Sequence, residues 1–152
     1  KGLDCRGLRI GTVFGHGRLT GRSAAASAMI SGAAVGEAYV CPVIPEQTSA
    51  YVHADDVAEY MLQTAFAPEL ERDVYCVAAH TASLREITDI LRSMLPGADI
   101  SFADGAAGFT QINRLNCARL AHDTGYTMPS LSDRIRDQAN MARRERQLPP
   151  LT

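Results

Sequence analysis

Residues 73–79, Asp-Val-Tyr-Cys-Val-Ala-Ala, constrain the fold more than any other stretch. They are β-prone and carry almost no polar alternation. A strand with one wet face alternates apolar and polar residues. A strand without alternation is covered on both faces, as in a parallel sheet. Parallel strands cannot be joined by a tight hairpin, so such a sheet demands crossover helices.

The rest of the chain supplies them. Residues 8–14, Leu-Arg-Ile-Gly-Thr-Val-Phe, read as one strand closed by glycines. Residues 23–35 are rich in alanine and predict a helix, weakened at its end by Gly32 and Gly36. Residues 39–44 form a short strand that Pro42 confines to an edge or bulge, because proline cannot donate to a ladder. Residues 50–53 are extended. A helix opens at Asp55-Asp56 and runs to Phe66, with carboxylates suited to the positive end of its dipole. Val57, Met61 and Ala65, with Ala58, Leu62 and Phe66, are spaced as its apolar stripe. Ser83-Leu-Arg-Glu86 is a capping box, and the helix it starts should bury Leu84, Ile87, Ile90, Leu91 and Met94 before Pro96-Gly97 ends it. Residues 98–102 are a short strand and 103–108 a loop of small residues. A short helix over 116–123 stops at Gly125. Ser130 caps a last polar helix running to about Gln147. Strands alternating with helices make this an α/β chain.

Composition narrows the function classes. The 152 residues fit one domain, and 46% hydrophobic content can fill a core. A net charge of -2 favours neither nucleic acid nor an acidic membrane surface. Arg134, Arg136, Arg143, Arg144 and Arg146 read as a solvated helix face. Cys5, Cys41, Cys76 and Cys117 are far apart and read as buried reduced thiols rather than disulfides or a zinc site. No apolar run reaches the length of a membrane helix and no signal peptide opens the chain, so a cytoplasmic location is expected.

Gly11-Thr-Val-Phe-Gly15-His-Gly17 follows a strand with glycine spacing that a dinucleotide pyrophosphate loop can show, and Glu37 lies about 20 residues on, where a ribose-binding acid is expected. Three features oppose that reading. Arg9 interrupts the strand. Gly21 and Arg22 fall where the phosphate-binding helix should begin. The only lysine is Lys1, so no Tyr-x-x-x-Lys pair exists. The residues favour a strand-end loop in another role. His53 with Asp55 and Asp56 could ligate a metal, but a helix cap after a polar strand end fits better. His16, His80 and His122 bear no spacing relation to that group, and no nucleophile elbow is present.

Five pieces, in order, resemble the second half of the extended short-chain dehydrogenase/reductases, the NAD-dependent epimerase/dehydratase family. Arg9-Ile-Gly-Thr12-Val-Phe14-Gly15-His16 matches that family's R-x-x-N-x-Y-G-P. Residues 51–58, Tyr-Val-His-Ala-Asp-Asp-Val-Ala, match Y-V-H-V-x-D-V-A. Residues 73–77 match G-x-V-Y-N-V, and Ser83 opens the helix that follows. Asn116-Cys-Ala-Arg119 through Gly125-Tyr126-Thr-Met-Pro129 matches D-x-S-R-A-x-x-x-L-G-W/Y-x-P with one extra residue.

The resemblance implies the last strands of a Rossmann-like parallel sheet plus a small C-terminal α/β substrate-binding subdomain. It implies Gly11 against the nicotinamide end of the cofactor, Thr12 in place of a substrate-facing asparagine, and Phe14 and Gly15 at the pocket floor. Ser49, Tyr51 and His53 join them on the substrate side. Ser49 stands where members acting on nucleotide sugars usually carry a diphosphate-gripping arginine, so the substrate expected is small and hydroxylated or sugar-derived. In that family the glycine loop and the Tyr–Lys pair lie upstream, so this chain reads as one entered midway. It is expected to be inactive and to bind no cofactor alone, with NAD or NADP belonging to the parent enzyme. Its partners are expected to be the missing N-terminal Rossmann half or a second copy of the chain. The rival reading is a non-catalytic, oligomerising binding module that kept half of the fold.

Overall fold

The computed structural model describes residues 5–21 and 23–152; Lys1 and Arg22, which entered the sequence argument, lie outside them. Seven strands and five helices follow in the order β1 (Gly7–Ile10), β2 (Thr12–Phe14), α1 (Ala25–Ala34), β3 (Tyr39–Cys41), β4 (Thr48–His53), α2 (Ala54–Phe66), β5 (Val74–Val77), β6 (His80–Ser83), α3 (Leu84–Met94), β7 (Ile100–Phe102), α4 (Ala118–Thr124) and α5 (Leu131–Glu145). β1 and β5 pair in parallel, Gly7 opposite Val74 and Ile10 opposite Val77. β2 lies parallel to β4, and β4 is antiparallel to β6, giving the order β2-β4-β6. β3 and β7 form a third, parallel pair. This is the mixed α/β architecture with partial parallel sheets that the sequence predicts.

Residues 8–14 are not one strand. The chain leaves the β1–β5 pair at Ile10 and enters the β2–β4 pair at Thr12, with Gly11 as the joint. The hairpin-like partner β6 was not visible in the sequence either. Its side chains, His-Thr-Ala-Ser, carry no strand signal, and its pairing with β4 is imposed by tertiary contact.

α3 forms as read: Ser83 Oγ accepts from the Glu86 N–H at 3.2 Å while Glu86 accepts from the Ser83 N–H at 2.7 Å. Leu84, Ile87 and Leu91 are buried, and Ile90 and Met94 pack at the margin of the same core. That core also takes Met29 and Ile30 from α1 and Ile135, Ala139 and Ala142 from α5. A second core holds Val52, Val57, Tyr60, Tyr75, Val77 and Leu120.

Some expectations fail. The apolar stripe on α2 is not its buried face: Asp56, Val57, Tyr60 and Thr64 point inward, while Met61, Leu62 and Phe66 are exposed, Phe66 to 81%. The inward side is fixed by a buried ion pair. Asp56 is fully buried, and Arg134 of α5 grips it, Nε lying 3.0 Å from Oδ2 and Nη2 also donating to Oδ1. Arg134 is therefore not part of a solvated arginine face, and its charge is held on by Asp56. Secondly, β5 is not covered on both faces, since Val74 is exposed to 48%. Thirdly, Cys5 is exposed rather than buried; Cys41 is buried and Cys76 and Cys117 half-buried, all four as free thiols.

Among the described residues no helix is long and apolar enough to cross a membrane. Arg6 closes α2 at its other end by donating to the carbonyls of Thr64 and Ala67, a cation at the negative end of the helix dipole.

The Asp56–Arg134 pair is the only bond of its kind between α2 and α5 that the described residues show, so breaking it should be costly. Asp56→Ala leaves a cation largely out of water, and the expected loss is about 3–5 kcal/mol of unfolding free energy. Urea denaturation followed by circular dichroism measures it; a loss below about 1 kcal/mol, the value of an exposed pair, would show that the bridge is solvated.

Candidate functional site

The site is built around the joint at Gly11. Its N–H donates to the Val77 carbonyl at 2.8 Å, continuing the β1–β5 ladder by one bond. A Cβ at this position would stand 2.5 Å from the Ala50 carbonyl oxygen and 3.2 Å from the Ala78 Cβ. Glycine is needed because three backbones meet here: β1 running into β2, β4 and the end of β5. The joint lies at the carboxyl ends of the parallel pair β1–β5, the end at which open α/β sheets receive ligands.

Thr12 follows immediately. Its hydroxyl lies 2.6 Å from Gln111 Nε2, and the same nitrogen donates to the Ser49 hydroxyl. Ser49 is buried on β4, and Tyr51, two residues on, points to the same side of the strand. Burial pushes the Tyr51 hydroxyl above its ordinary pKa, partly offset by a hydrogen bond with Ser49. Thr12, Ser49, Tyr51 and Gln111 thus form one hydroxyl-rich cluster.

Phe14, Gly15 and His53 form a second group one strand-turn away. The Phe14 ring meets Tyr51 edge-on at 6.0 Å and His53 at 5.2 Å, so Phe14 joins the two groups from within the core. His53 caps α2 itself, its Nδ1 accepting from the Asp55 N–H at 3.3 Å, where the sequence had suggested the aspartates as the capping residues. With Nδ1 accepting, the proton of the neutral ring sits on Nε2, which is buried and has no hydrogen-bond partner. Desolvation holds the ring below the usual histidine pKa, so it is neutral near pH 7. Asp56 is turned to Arg134 and to the Tyr126 hydroxyl at 2.7 Å, not to His53. Among the described residues no group of three or more His, Cys, Asp or Glu side chains could hold a metal.

The glycine loop does not fit a dinucleotide pyrophosphate. β2 stands between β1 and the loop, and α1 begins only at Ala25. The loop is committed to its own chain: the Gly15 N–H donates to Ser27 Oγ at 3.3 Å, and His16 bonds Ser31 through Nδ1 at 3.2 Å and Glu145 through Nε2 at 3.0 Å. Glu37, the candidate ribose acid, pairs with Arg146 at 3.0 Å. A cavity of about 460 Å³ opens beside this loop between Leu19, Ala24, Tyr39, Val43 and Phe109, and the residues expected on the substrate side do not line it.

Gln111 was invisible to sequence reasoning. It sits in residues 103–117, which form neither helix nor strand, beyond the loop of small residues at 103–108, and a lone glutamine there carries no signal. The Asp56–Arg134–Tyr126 bonds were equally hidden, because the partners lie 78 and 70 residues apart.

Two outcomes test this geometry. Gly11→Ala forces a methyl group against a main-chain oxygen that no rotamer can move, and should cost about 1–3 kcal/mol by overpacking; an unfolding midpoint unchanged from wild type would show that β4 yields freely. The second concerns pH. His53 and His80 both have folded-state pKa values below the ordinary 6.5 because burial disfavours their charged forms. Above 6.5 both states are neutral and stability is flat on this account. Below it the unfolded chain takes up protons first, so stability falls until the folded-state pKa values are reached. The urea midpoint should therefore drop as pH falls from about 6.5 toward about 5.5, above the range where carboxylates titrate, and His80→Gln should remove part of that slope.

No family model matches this sequence, and no curated protein matches it. Solved structures do. L-threonine dehydrogenase from Phytophthora infestans superposes with a TM-score of 0.80 at 16% identity, over 97% of this chain and 50% of that one. L-threonine 3-dehydrogenase from Trypanosoma brucei gives 0.80 at 22% identity, over 99% and 50%. MoeE5, solved with UDP-glucose and NAD, gives 0.70 at 19% identity, over 91% and 46%. The chain spans about half the length of each. The resemblance read from its motifs holds at the level of architecture: this chain has the α/β fold of about half of these dehydrogenase structures.

Proposed function

We propose that this chain is the substrate-side portion of an NAD(P)-dependent dehydrogenase or epimerase that acts on a small hydroxylated or sugar-derived molecule, and that it is catalytically incomplete by itself. One observation carries the reading. The β1–β5 pair is a two-stranded parallel sheet with an open apolar flank. Met61 and Ala65 of α2 border a shallow cavity of about 450 Å³ together with Leu8 and Ile10 of β1, and on the other face of the pair Val74 is exposed. Parallel sheets occur with both faces covered, so such a flank calls for more sheet and helix against it. The halves of the similar structures to which this chain does not correspond are of a size to supply that cover.

In this reading the 152 residues act as one domain-sized unit that places a substrate at the carboxyl end of β1. Thr12 and Ser49 offer hydroxyls to it, Tyr51 adjoins Ser49 with Phe14 packed edge-on against it in the core, and Gly11 lets the strands close to the distance the cluster needs. Gly15 and His53 stiffen the far side. The complementary portion brings the cofactor, NAD or NADP, together with the tyrosine and lysine that move the proton. Similar proteins act on L-threonine or were solved with UDP-glucose and NAD, as their names state. The absence of an arginine at Ser49 favours the smaller kind of substrate. A cytoplasmic location accords with this chemistry.

Titration of the purified chain with NAD and NADH should show no micromolar binding. The same chain, extended through the coding sequence upstream of Lys1, should bind in that range. Micromolar binding by the 152 residues alone overturns the proposal. An exposed β1 edge also suits pairing with a second copy, so light scattering belongs beside the titration: a discrete, stable dimer supports the binding-module alternative.

A further inference from the structure

Away from the strand joint, the loop after β2, the middle of α1 and the end of α5 meet around a cavity of about 320 Å³. Three side chains with nucleophilic or acid–base chemistry line it: Ser31 of α1, His16 of the loop and Glu145 of α5. They are bonded in series. Ser31 Oγ lies 3.2 Å from His16 Nδ1, and His16 Nε2 lies 3.0 Å from Glu145 Oε2. A fourth residue fixes the direction of the protons. Gln138 of α5 is fully buried, and its Nε2 reaches the Ser27 carbonyl at 2.8 Å and Ser31 Oγ at 2.9 Å. The Ser27 carbonyl can only accept, so the amide turns its NH2 group to it, and Ser31 Oγ accepts the second N–H. The Ser31 hydroxyl proton is then left for His16 Nδ1. The ring's own proton sits on Nε2, facing the Glu145 carboxylate.

We propose that Ser31, His16 and Glu145 form a nucleophile–base–carboxylate relay that hydrolyses esters of small apolar acyl groups, an activity separate from the dehydrogenase or epimerase role. A hydroxyl that donates to an imidazole, whose other nitrogen donates to a carboxylate, is how serine is activated, and the arrangement is recognised by geometry rather than by place in the chain. Here Nδ1 rather than Nε2 faces the serine, which leaves the proton logic unchanged. Ser31 Oγ attacks the ester carbonyl carbon and its proton passes to His16 Nδ1. The bond from carbon to the leaving oxygen then breaks, and that oxygen takes the proton from Nδ1 and departs as an alcohol. Water repeats the cycle: it gives a proton to Nδ1, bonds the acyl carbon, and Ser31 Oγ recovers the proton as the acid leaves. Arg146 lines the same cavity. One of its nitrogens bonds Glu37 at 3.0 Å, and a guanidinium has further N–H donors for the oxyanion. The remaining wall is largely apolar, with Leu19, Ala28, Val35, Tyr39 and Ala142. Leu19, Ala28 and Tyr39 also line the neighbouring cavity of about 460 Å³, so an acyl chain of several carbons has room. Gly32 keeps the space beside Ser31 open, since a Cβ there would find only the Glu37 Cβ, at 4.0 Å.

The test uses the full 152-residue chain with p-nitrophenyl butyrate as substrate and a fluorophosphonate as covalent probe. Peptide mass spectrometry of the wild-type protein should place the phosphonyl adduct on Ser31, a readout that needs no variant to fold. Hydrolysis should be saturable. Ser31→Ala should reduce it to the buffer rate, and His16→Gln should lower kcat about 100-fold. Glu145→Ala should lower kcat and Glu145→Gln, which keeps an acceptor, should restore most of it, with KM unchanged in both. An adduct elsewhere or none, hydrolysis that survives Ser31→Ala, or a kcat indifferent to His16→Gln or to Glu145→Ala each overturns the proposal. None of these touches the NAD titration, so the two readings fail separately.

Discussion

The buried Asp56–Arg134 pair is the interaction on which the rest of the structure depends. α5 lies in the first core through Ile135, Ala139 and Ala142, whereas α2 lies in the second through Val57 and Tyr60. Arg134 spans the two. Desolvating both charges is expensive, and the geometry answers that cost with several bonds: two nitrogens of Arg134 on the carboxylate, the Tyr126 hydroxyl on Oδ1, and Asp137 on the remaining guanidinium nitrogen at 2.9 Å. The Tyr126 hydroxyl is pushed up to about 12 by its burial and by Asp56, so it remains a donor throughout the working range. Tyr60 stacks edge-on against Tyr126 at 5.1 Å and donates to its carbonyl. One charge pair thereby sets the rotation of α2, and that rotation decides which of its residues face outward.

Local chemistry was legible and long-range charge pairing was not. The capping box at Ser83, the αL glycine at Gly125 and the cap at Ser130 each act within a few residues, so their signals sit in the sequence as written. The apolar stripe of α2 fails as a guide because periodicity ranks side chains by hydrophobicity alone. It cannot know that an aspartate on the opposite face has an arginine 78 residues away. β5 has the composition of a doubly covered strand, and among the described residues one flank is open. Of the candidate site, the motif positions Thr12, Ser49, Tyr51 and His53 were nameable in advance. The structure brings the first three together and sets His53 aside as a helix cap. Gln111 had no pattern to betray it.

The two clusters of the site differ in character. The hydroxyl cluster of Thr12, Ser49 and Gln111 reaches the surface through the partly exposed Gln111 side chain. The aromatic cluster of Phe14, Tyr51 and His53 is interior and has fixed edge-on contacts. A rigid inner wall of edge-on rings thus lies beneath a polar layer that borders solvent.

Gly11 has a consequence for how such a chain can change over generations. The obstacle to any side chain there is the carbonyl oxygen of Ala50, a main-chain atom common to every residue. No substitution at position 50 removes it, so no second-site change of side chain can rescue a replacement at Gly11. Drift at most positions proceeds by paired compromise between neighbours. Here that route is closed, and a side chain at this position would require the β4 backbone itself to move away.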